Sequence, residues 1–313
     1  MQHRSTGIAL KLGATLAFTL MYAVIKLAGR APVGEVIFFR AFFALVPLFA
    51  LSWFTSSPWQ VVHTSRPLFH LLRSTVGVAS MFLNFAALAR LPLADITAFS
   101  FVAPIFAVIL AALFLHEQVG AYRWAAVVAG FAGVLLMIEP HGGLLHLAAA
   151  GFSSGASLAL LGALCSAQVV IFIRRMSATE RSETIVFYFM LTCAVTGALT
   201  MLWDYASLSW GAVAWLVLCG ILGGIGQICM TYSYRFAEPS LLAPFDYAAM
   251  VWAVTLGYFV LGEVPKPLVL VGAGVVIAAG IFIVWRERSL HRASIEDSAM
   301  DDSAAESLVV KEP

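Results

Sequence analysis

The chain has 313 residues, of which 61% are apolar and only 11% are charged, and Phe alone occurs 23 times. A soluble domain carries roughly 25% charged residues. One of this length could not bury so much apolar surface, so the composition indicates an integral membrane protein. The formal net charge of +1 excludes the basic excess of a nucleic-acid-binding protein.

Cysteine usage predicts neither disulfides nor a metal centre. Cys165, Cys193, Cys219 and Cys229 all lie in apolar runs, and none has CxxC spacing. We expect small buried side chains at these positions, with no bound metal and no cofactor.

Ten apolar runs are long enough to cross a bilayer core of about 30 Å, which takes roughly 20 residues per helix. The first run is too long for a signal-peptide core, so it is retained as a span. The predicted spans are 7–28, 34–54, 68–89, 93–115, 121–139, 156–175, 184–203, 210–233, 240–261 and 267–286. The sequence thus predicts an all-α membrane protein with a short N-terminus (1–6) and a polar, disordered tail (287–313).

Lys and Arg are distributed unevenly between the two sides of these spans. With both termini inside, 13 of them flank the cytoplasmic ends, four flank the outer ends, and Arg40 lies within a span. This positive-inside bias predicts that both termini are cytoplasmic, and we expect the chain to lie in a cell inner membrane.

The two halves of the chain repeat each other. At an offset of 146, LPLADITAFSFVAPIFAVILAALFLHEQV aligns with AEPSLLAPFDYAAMVWAVTLGYFVLGEVP, which pairs Glu117 with Glu263. At an offset of 148, EVIFFR aligns with ETIVFY, and Lys26 pairs with Arg174. The first half is 7–139, the outer connector is 140–155 and the second half is 156–286. Each half has five spans, an odd number, so the two halves must cross the membrane in opposite orientations.

These residues resemble a known family. LHEQ and LGEV place a Glu after the fourth and ninth runs; FVAPIFAVILAALFL comes directly before LHEQ, and RWAAVVAGFAGVLLM follows it. They resemble the drug/metabolite transporter superfamily, specifically its ten-helix proteins with two EamA repeats. EVIFFRAFF and TSRPLFHLLR look most like the S-adenosylmethionine uptake branch, whereas APFDYAAMVWAVTLGYFVLGE looks equally like riboflavin-transporting relatives.

Three spans carry a polar stripe on one helical face, which should contact protein or a water-filled cavity rather than lipid. The stripes are Lys11, Thr15, Thr19, Tyr22 and Lys26; Arg73, Gly77, Ser80 and Asn84; and Gly220, Gly223, Gly224, Gln227, Thr231 and Tyr234. The basic stripe ends could instead snorkel to the head groups. Tyr22, Asn84, Gln227 and Tyr234 are candidate substrate-binding residues, with interhelical hydrogen bonding as the alternative.

Asp246 lies inside the ninth run, just after Pro244. It could bind a substrate cation, carry a coupling proton or pair with an arginine. Tyr247 and Trp252 could stack on a planar ligand or simply pack. These three residues complete the candidate substrate-binding set.

Four further charges are candidates for gating or structural roles: Arg40, Arg73, Glu117 and Glu263. For Arg40 we favour a salt bridge or a bond to backbone carbonyls over substrate contact. For the two Glu residues, which lie at span ends with Asp95, we favour a gate or a helix-end hydrogen bond.

The pattern favours a secondary transporter that moves a small organic metabolite, S-adenosylmethionine among the candidates, by alternating access. The alternatives are a riboflavin or amino-acid exporter of the same fold, or an integral membrane enzyme. An enzyme would need clustered acids or His at the interface, but the seven His residues are scattered. Expected partners are the substrate, the lipid bilayer and a coupling proton, and the oligomeric state is left open.

Overall fold

A computed structural model describes residues 2–29, 31–55, 61–114, 121–143, 154–176, 180–236 and 242–283, with 149, 285, 286 and 289. All regular structure in these residues is helical. The main helices, in chain order, are α1 (Gln2–Leu27), α2 (Val33–Thr55), α3 (Pro67–Leu88), α4 (Leu93–Ser100), α5 (Ala103–Phe114), α6 (Ala121–Ile138), α7 (Gly155–Met176), α8 (Ser182–Thr200), α9 (Trp210–Phe236), α10 (Ala248–Leu261) and α11 (Pro267–Ile283).

Helix occupies all ten predicted spans. Seven helices are long and apolar enough to cross a membrane, and three shorter apolar segments complete the bundle. The chain is therefore a multi-pass membrane protein. We call the face where α1 begins the N face and the opposite face the far face.

The fourth and ninth spans are interrupted at equivalent positions. α4 ends at Ser100, and α5 begins after Phe101 and Val102, because Pro104 has no N–H to donate to the carbonyl of Ser100. In the ninth span, a 3₁₀ turn (Ala243–Tyr247) precedes α10. The offset of 146 aligns Phe101 with Tyr247, so both halves change helical geometry at the same point.

Helix packing obeys the inverted repeat. α1 packs on α9 as its counterpart α7 packs on α3, and α2 packs on α9 as α8 packs on α3. α2 also packs directly on its own counterpart, α8. Two spans thus meet across the pseudo-two-fold axis, and the two halves interlock rather than lie side by side.

The fifth and tenth spans also meet as counterparts. A Cβ on Gly133 of α6 would lie 2.7 Å from the carbonyl oxygen of Gly272 in α11. Only glycine allows the backbones to approach so closely, as in other small-residue contacts between membrane helices.

Large apolar side chains cover the outside of the bundle. Trp53, Trp203 and Trp210 are 75%, 82% and 90% exposed, and Phe259 is 79% exposed. Lipid tails satisfy such a surface, and Trp at the helix ends is typical of the membrane–water interface.

Candidate substrate-binding site

The polar stripe of α1 faces the ninth span of the other half. Lys11 Nζ lies 2.7 Å from Asp246 Oδ1. One turn further along, Trp252 Nε1 donates to Thr15 Oγ1 over 3.3 Å. The stripe therefore lies against protein, as its helical spacing predicted.

Asp246 has a partner that the sequence did not suggest. Its carboxylate pairs with Lys11 rather than with an arginine, and its roles in binding a substrate cation or carrying a coupling proton stay predictions. The Lys11 side chain is only 1% exposed, whereas that of Asp246 is 47% exposed. Snorkelling to the head groups is therefore wrong for Lys11, and also for Arg73, which is buried.

A second ion pair joins the same two spans at the far face. Lys26 Nζ contacts Glu263 Oε1 and also donates to the carbonyl oxygen of Leu91 over 2.6 Å. Glu263 Oε2 accepts a hydrogen bond of 2.6 Å from the backbone N–H of Leu93. We call these four residues the far-face cluster. It holds the first, fourth and ninth spans together and therefore closes this end of the interface.

A histidine–carboxylate pair lies beside the far-face cluster. His141 Nε2 is 3.0 Å from Asp95 Oδ2, and His141 Nδ1 is 3.0 Å from the carbonyl oxygen of Met137. The pair links the start of α4 to the end of α6. Sequence reasoning missed it, because 46 residues separate its two members.

The N face carries a cluster around Glu180, in the connector between α7 and α8. Glu180 Oε1 accepts hydrogen bonds from Thr64 Oγ1 at 3.1 Å and Ser65 Oγ at 2.9 Å, and Oε2 lies 3.4 Å from His70 Nε2. Burial raises the pKa of the Glu180 carboxyl, but the hydrogen bonds from Ser65, Thr64 and His70 lower it by more. The net result is a pKa below the usual value of a glutamate. The cluster thus ties a connector of each half together.

Two arginines lie deep between the halves. The Arg73 Cζ atom is 4.1 Å from the centroid of the Phe189 ring, and Arg40 Cζ is 6.0 Å from the same centroid. Arg40 Nη1 also approaches the sulfurs of Met81 at 3.9 Å and Met190 at 3.5 Å. Within the described part of the chain, the salt bridge considered for Arg40 is not found.

Their present contacts do not offset the burial of two positive charges. Both residues are buried, at 6% and 5% exposure. A charge at mid-membrane costs about 2.5–3.5 kcal/mol on insertion scales. A cation–π contact contributes about 0.5–2 kcal/mol, and a thioether sulfur is a weak acceptor.

Ser80 makes hydrogen bonds between α3 and α7, whereas the hydrogen bonds of Asn84 go to Ser80 within α3. Asn84 Nδ2 donates to the carbonyl oxygen of Ser80 at 2.8 Å, and Ser80 Oγ donates to the carbonyl oxygen of Gly162 at 3.0 Å. Ser80 Oγ also lies 2.7 Å from Ser166 Oγ. This geometry supports the interhelical role for the third-span stripe.

Gln227 lines a narrow recess of about 20 Å³ that opens toward the N face between α2, α8 and α9, together with Glu183, Met190 and Tyr232. A wider recess of about 490 Å³ opens toward the far face between α2, α8, α3 and the start of α7. α3 is the counterpart of α9, so the inverted repeat relates the two recesses.

The aromatic candidates lie in different surroundings. Tyr22 packs edge-on against Phe85 with 6.1 Å between ring centroids, and Tyr247 packs edge-on against Phe101 at 5.2 Å. Trp252 lies beside Thr15, as described above. Glu117 and the side chain of Tyr234 fall outside the described residues.

Comparison with known proteins decides the family. Residues 5–139 and 153–285 match the EamA-like transporter family. The chain belongs to that family. The two matched stretches correspond to the two halves of the bundle, so this protein is a member of the drug/metabolite transporter superfamily built from two EamA repeats.

EamA relatives across the chain's length are named as transporters. The riboflavin transporter of Rhizobium johnstonii is 28% identical over 285 residues, 89% of this chain and 91% of its own length. The pseudopaline exporter of Pseudomonas aeruginosa is 28% identical over 88% of this chain and 95% of its own. The S-adenosylmethionine uptake transporter of Rickettsia bellii is 27% identical over 81% and 84%.

A solved crystal structure has the same fold. It superposes with a TM-score of 0.64 at 19% identity and covers 91% of this chain and 99% of its own. The chain is thus an EamA-fold transporter-family protein, and its relatives are named as transporters rather than enzymes.

Proposed function

We propose that this EamA protein is a secondary transporter that moves a small organic metabolite across a bacterial inner membrane by alternating access. The observation that carries the proposal is the pair of recesses that open to opposite faces and are related by the inverted repeat. Inverted halves can exchange conformations, so that a site between them faces each side in turn.

We propose S-adenosylmethionine as the first substrate to test and riboflavin as the second. Both are named substrates of relatives at about the same distance from this chain. Riboflavin, pseudopaline and S-adenosylmethionine differ in structure. The relatives therefore support a small metabolite as the substrate class more strongly than they support any one compound.

The proposed orientation places the N face in the cytoplasm. The excess of Lys and Arg at this end of the spans supports it. The first and last spans both reach the N face, so both termini are cytoplasmic in this proposal.

The far-face cluster acts as a gate in the proposed cycle. Lys26 and Glu263 hold the first and ninth spans together. The repeat register aligns Lys26 with Arg174 and Glu263 with Glu117. We therefore propose that Lys26 and Glu263 separate when the far face opens, and that the charges at the aligned positions 174 and 117 are the first to test for an equivalent role in the other half.

Reconstituted liposomes test the proposal. Purified protein in vesicles preloaded with unlabelled S-adenosylmethionine should take up external labelled compound by exchange, without ATP. Empty vesicles and vesicles preloaded with riboflavin serve as controls. If only riboflavin is exchanged, riboflavin becomes the proposed substrate and the transport mechanism stands. If neither compound nor any of a panel of amino acids is exchanged, the proposed transport function is rejected.

A further inference from the structure

The strongest unexplained feature of the molecule is the pair of arginines in its interior. Arg40 of α2 and Arg73 of α3 approach one ring, Phe189 of α8, so the pair lies where helices from both halves meet. Neither residue belongs to the ion pairs at the two ends of the first span.

Several N–H groups of the two guanidinium side chains have no hydrogen-bond acceptor among the described residues. Arg40 Nε, Arg73 Nε and Arg73 Nη1 are buried without a hydrogen-bond partner among the described residues. Among the same residues, no carboxylate lies within salt-bridge distance of either guanidinium. Within the described part of the bundle, two positive charges are therefore enclosed without a matching negative charge.

The chemistry of arginine identifies what this arrangement suits. A guanidinium keeps its charge even when buried, and its planar fork binds a carboxylate or a phosphate through two parallel hydrogen bonds. We propose that Arg40 and Arg73 bind an anionic group of the transported substrate, a carboxylate or a phosphate. This proposal rests on the transport function proposed above and names the substrate class.

Access to the arginines runs past a flexible side chain. Met190 lines the recess that opens toward the N face, and its sulfur lies 3.5 Å from Arg40 Nη1. Methionine changes rotamer readily because it is unbranched. Rotation of Met190 would therefore join the recess to the guanidinium of Arg40.

The site has no counterpart in the second half. The offset of 148 aligns Arg40 with Tyr188, whose hydroxyl donates to the carbonyl oxygen of Val62 over 2.7 Å. The symmetric scaffold therefore carries one asymmetric site, which would hold a substrate by one charged end.

Binding of simple anions to the purified full-length chain tests the proposal. Succinate and inorganic phosphate serve as separate probes, and sodium chloride at equal ionic strength is the reference. Arg40→Gln and Arg73→Gln are compared with Arg90→Gln, at an exposed arginine just after α3 whose Nη1 donates to the carbonyl oxygen of Ala86. Arg73→Lys keeps the charge and removes the fork.

We expect one of the two anions to raise the melting temperature of the wild type and of Arg90→Gln. At least tenfold more anion should be needed for Arg40→Gln and Arg73→Gln, with Arg73→Lys intermediate. Without anion, the Gln variants should melt at or above the wild-type temperature, because each removes a buried, unpaired charge. A purely structural arginine would give the opposite result.

An equal response of the wild type and the Gln variants to both anions would overturn the proposal, as would no response of the wild type beyond that to sodium chloride. Because the assay needs no transport, it separates the two proposals. Substrate exchange that is unchanged in Arg40→Gln and Arg73→Gln would reject the anion site alone. Anion binding without any exchange would reject the transport function alone.

Discussion

Lys11 of α1 and Asp246 of the 3₁₀ turn before α10 form an ion pair between the two halves of the bundle, with 2.7 Å between Nζ and Oδ1. The lysine is fully enclosed, whereas the carboxylate is partly exposed. Asp246 therefore supplies the negative charge that stabilises a buried lysine in a membrane helix.

Asp246→Asn should destabilise the folded protein, because it removes the carboxylate charge that lies 2.7 Å from the buried Lys11 ammonium. Removing one member of a fully enclosed pair costs about 3–5 kcal/mol, and we expect a smaller loss because Asp246 is partly exposed. Adding Lys11→Met should recover most of the loss, as measured by the melting temperature in detergent. A double variant as unstable as the sum of the single variants would show that the pairing itself does not matter.

Glu263→Gln should loosen the far face, because it weakens the bonds to Lys26 Nζ and to the backbone N–H of Leu93. Hydrogen bonds to charged groups contribute about 1.5–3 kcal/mol, so the open population should rise roughly tenfold or more. A cysteine in place of the buried Leu93, in a Cys-free background, should then react faster with an impermeant thiol reagent. Lys266→Gln, at an exposed residue nearby, is the matched control and should leave the rate unchanged.

The stability of the folded protein should depend on pH because of the Glu180 carboxylate. Its pKa is held below the usual value in the folded state, so its contribution is present above the unfolded value of about 4.3 and is lost as pH falls below it. The melting temperature of Glu180→Gln should lie below that of the wild type at pH 7, and the gap should shrink at pH 4 and below. A gap that stays constant with pH would contradict an ionic role.

The proposed orientation predicts which loops face outward. Single cysteines replace Ser207, in the exposed far-face connector, and His63, in the exposed N-face connector. An impermeant thiol reagent added to intact cells should label the first and not the second. Labelling of the second position and not of the first would show that the orientation is the opposite of the one proposed.

Gln227 and Asn84 should respond differently to replacement by Leu. Gln227 lines the N-face recess, so Gln227→Leu should reduce substrate exchange and leave the melting temperature near that of the wild type. Asn84 lies in the α3–α7 contact, so Asn84→Leu should lower the stability by about 1 kcal/mol, the scale of one net hydrogen bond. Loss of stability in Gln227→Leu would assign it a structural role as well.

The sequence by itself determined the class of fold, because apolar run length and odd span number are properties of the chain alone. Ten runs of about 20 residues can only be helices in a bilayer, and five per half imposes inversion. Helix bounds such as Pro67–Leu88 and Gly155–Met176 lie within one residue of the predicted spans. The polar face of α1 also followed from spacing, because residues three and four apart share one side of a helix.

Only the tertiary structure decided which charges meet. Lys11 and Asp246 are separated by 235 positions, and His70 and Glu180 by 110, so no periodicity could pair them. The same is true of Arg40 and Arg73, which gave no sign in the sequence of sharing Phe189. Helical period determines the direction in which a side chain points on its own helix, whereas its partner depends on how the inverted halves interlock.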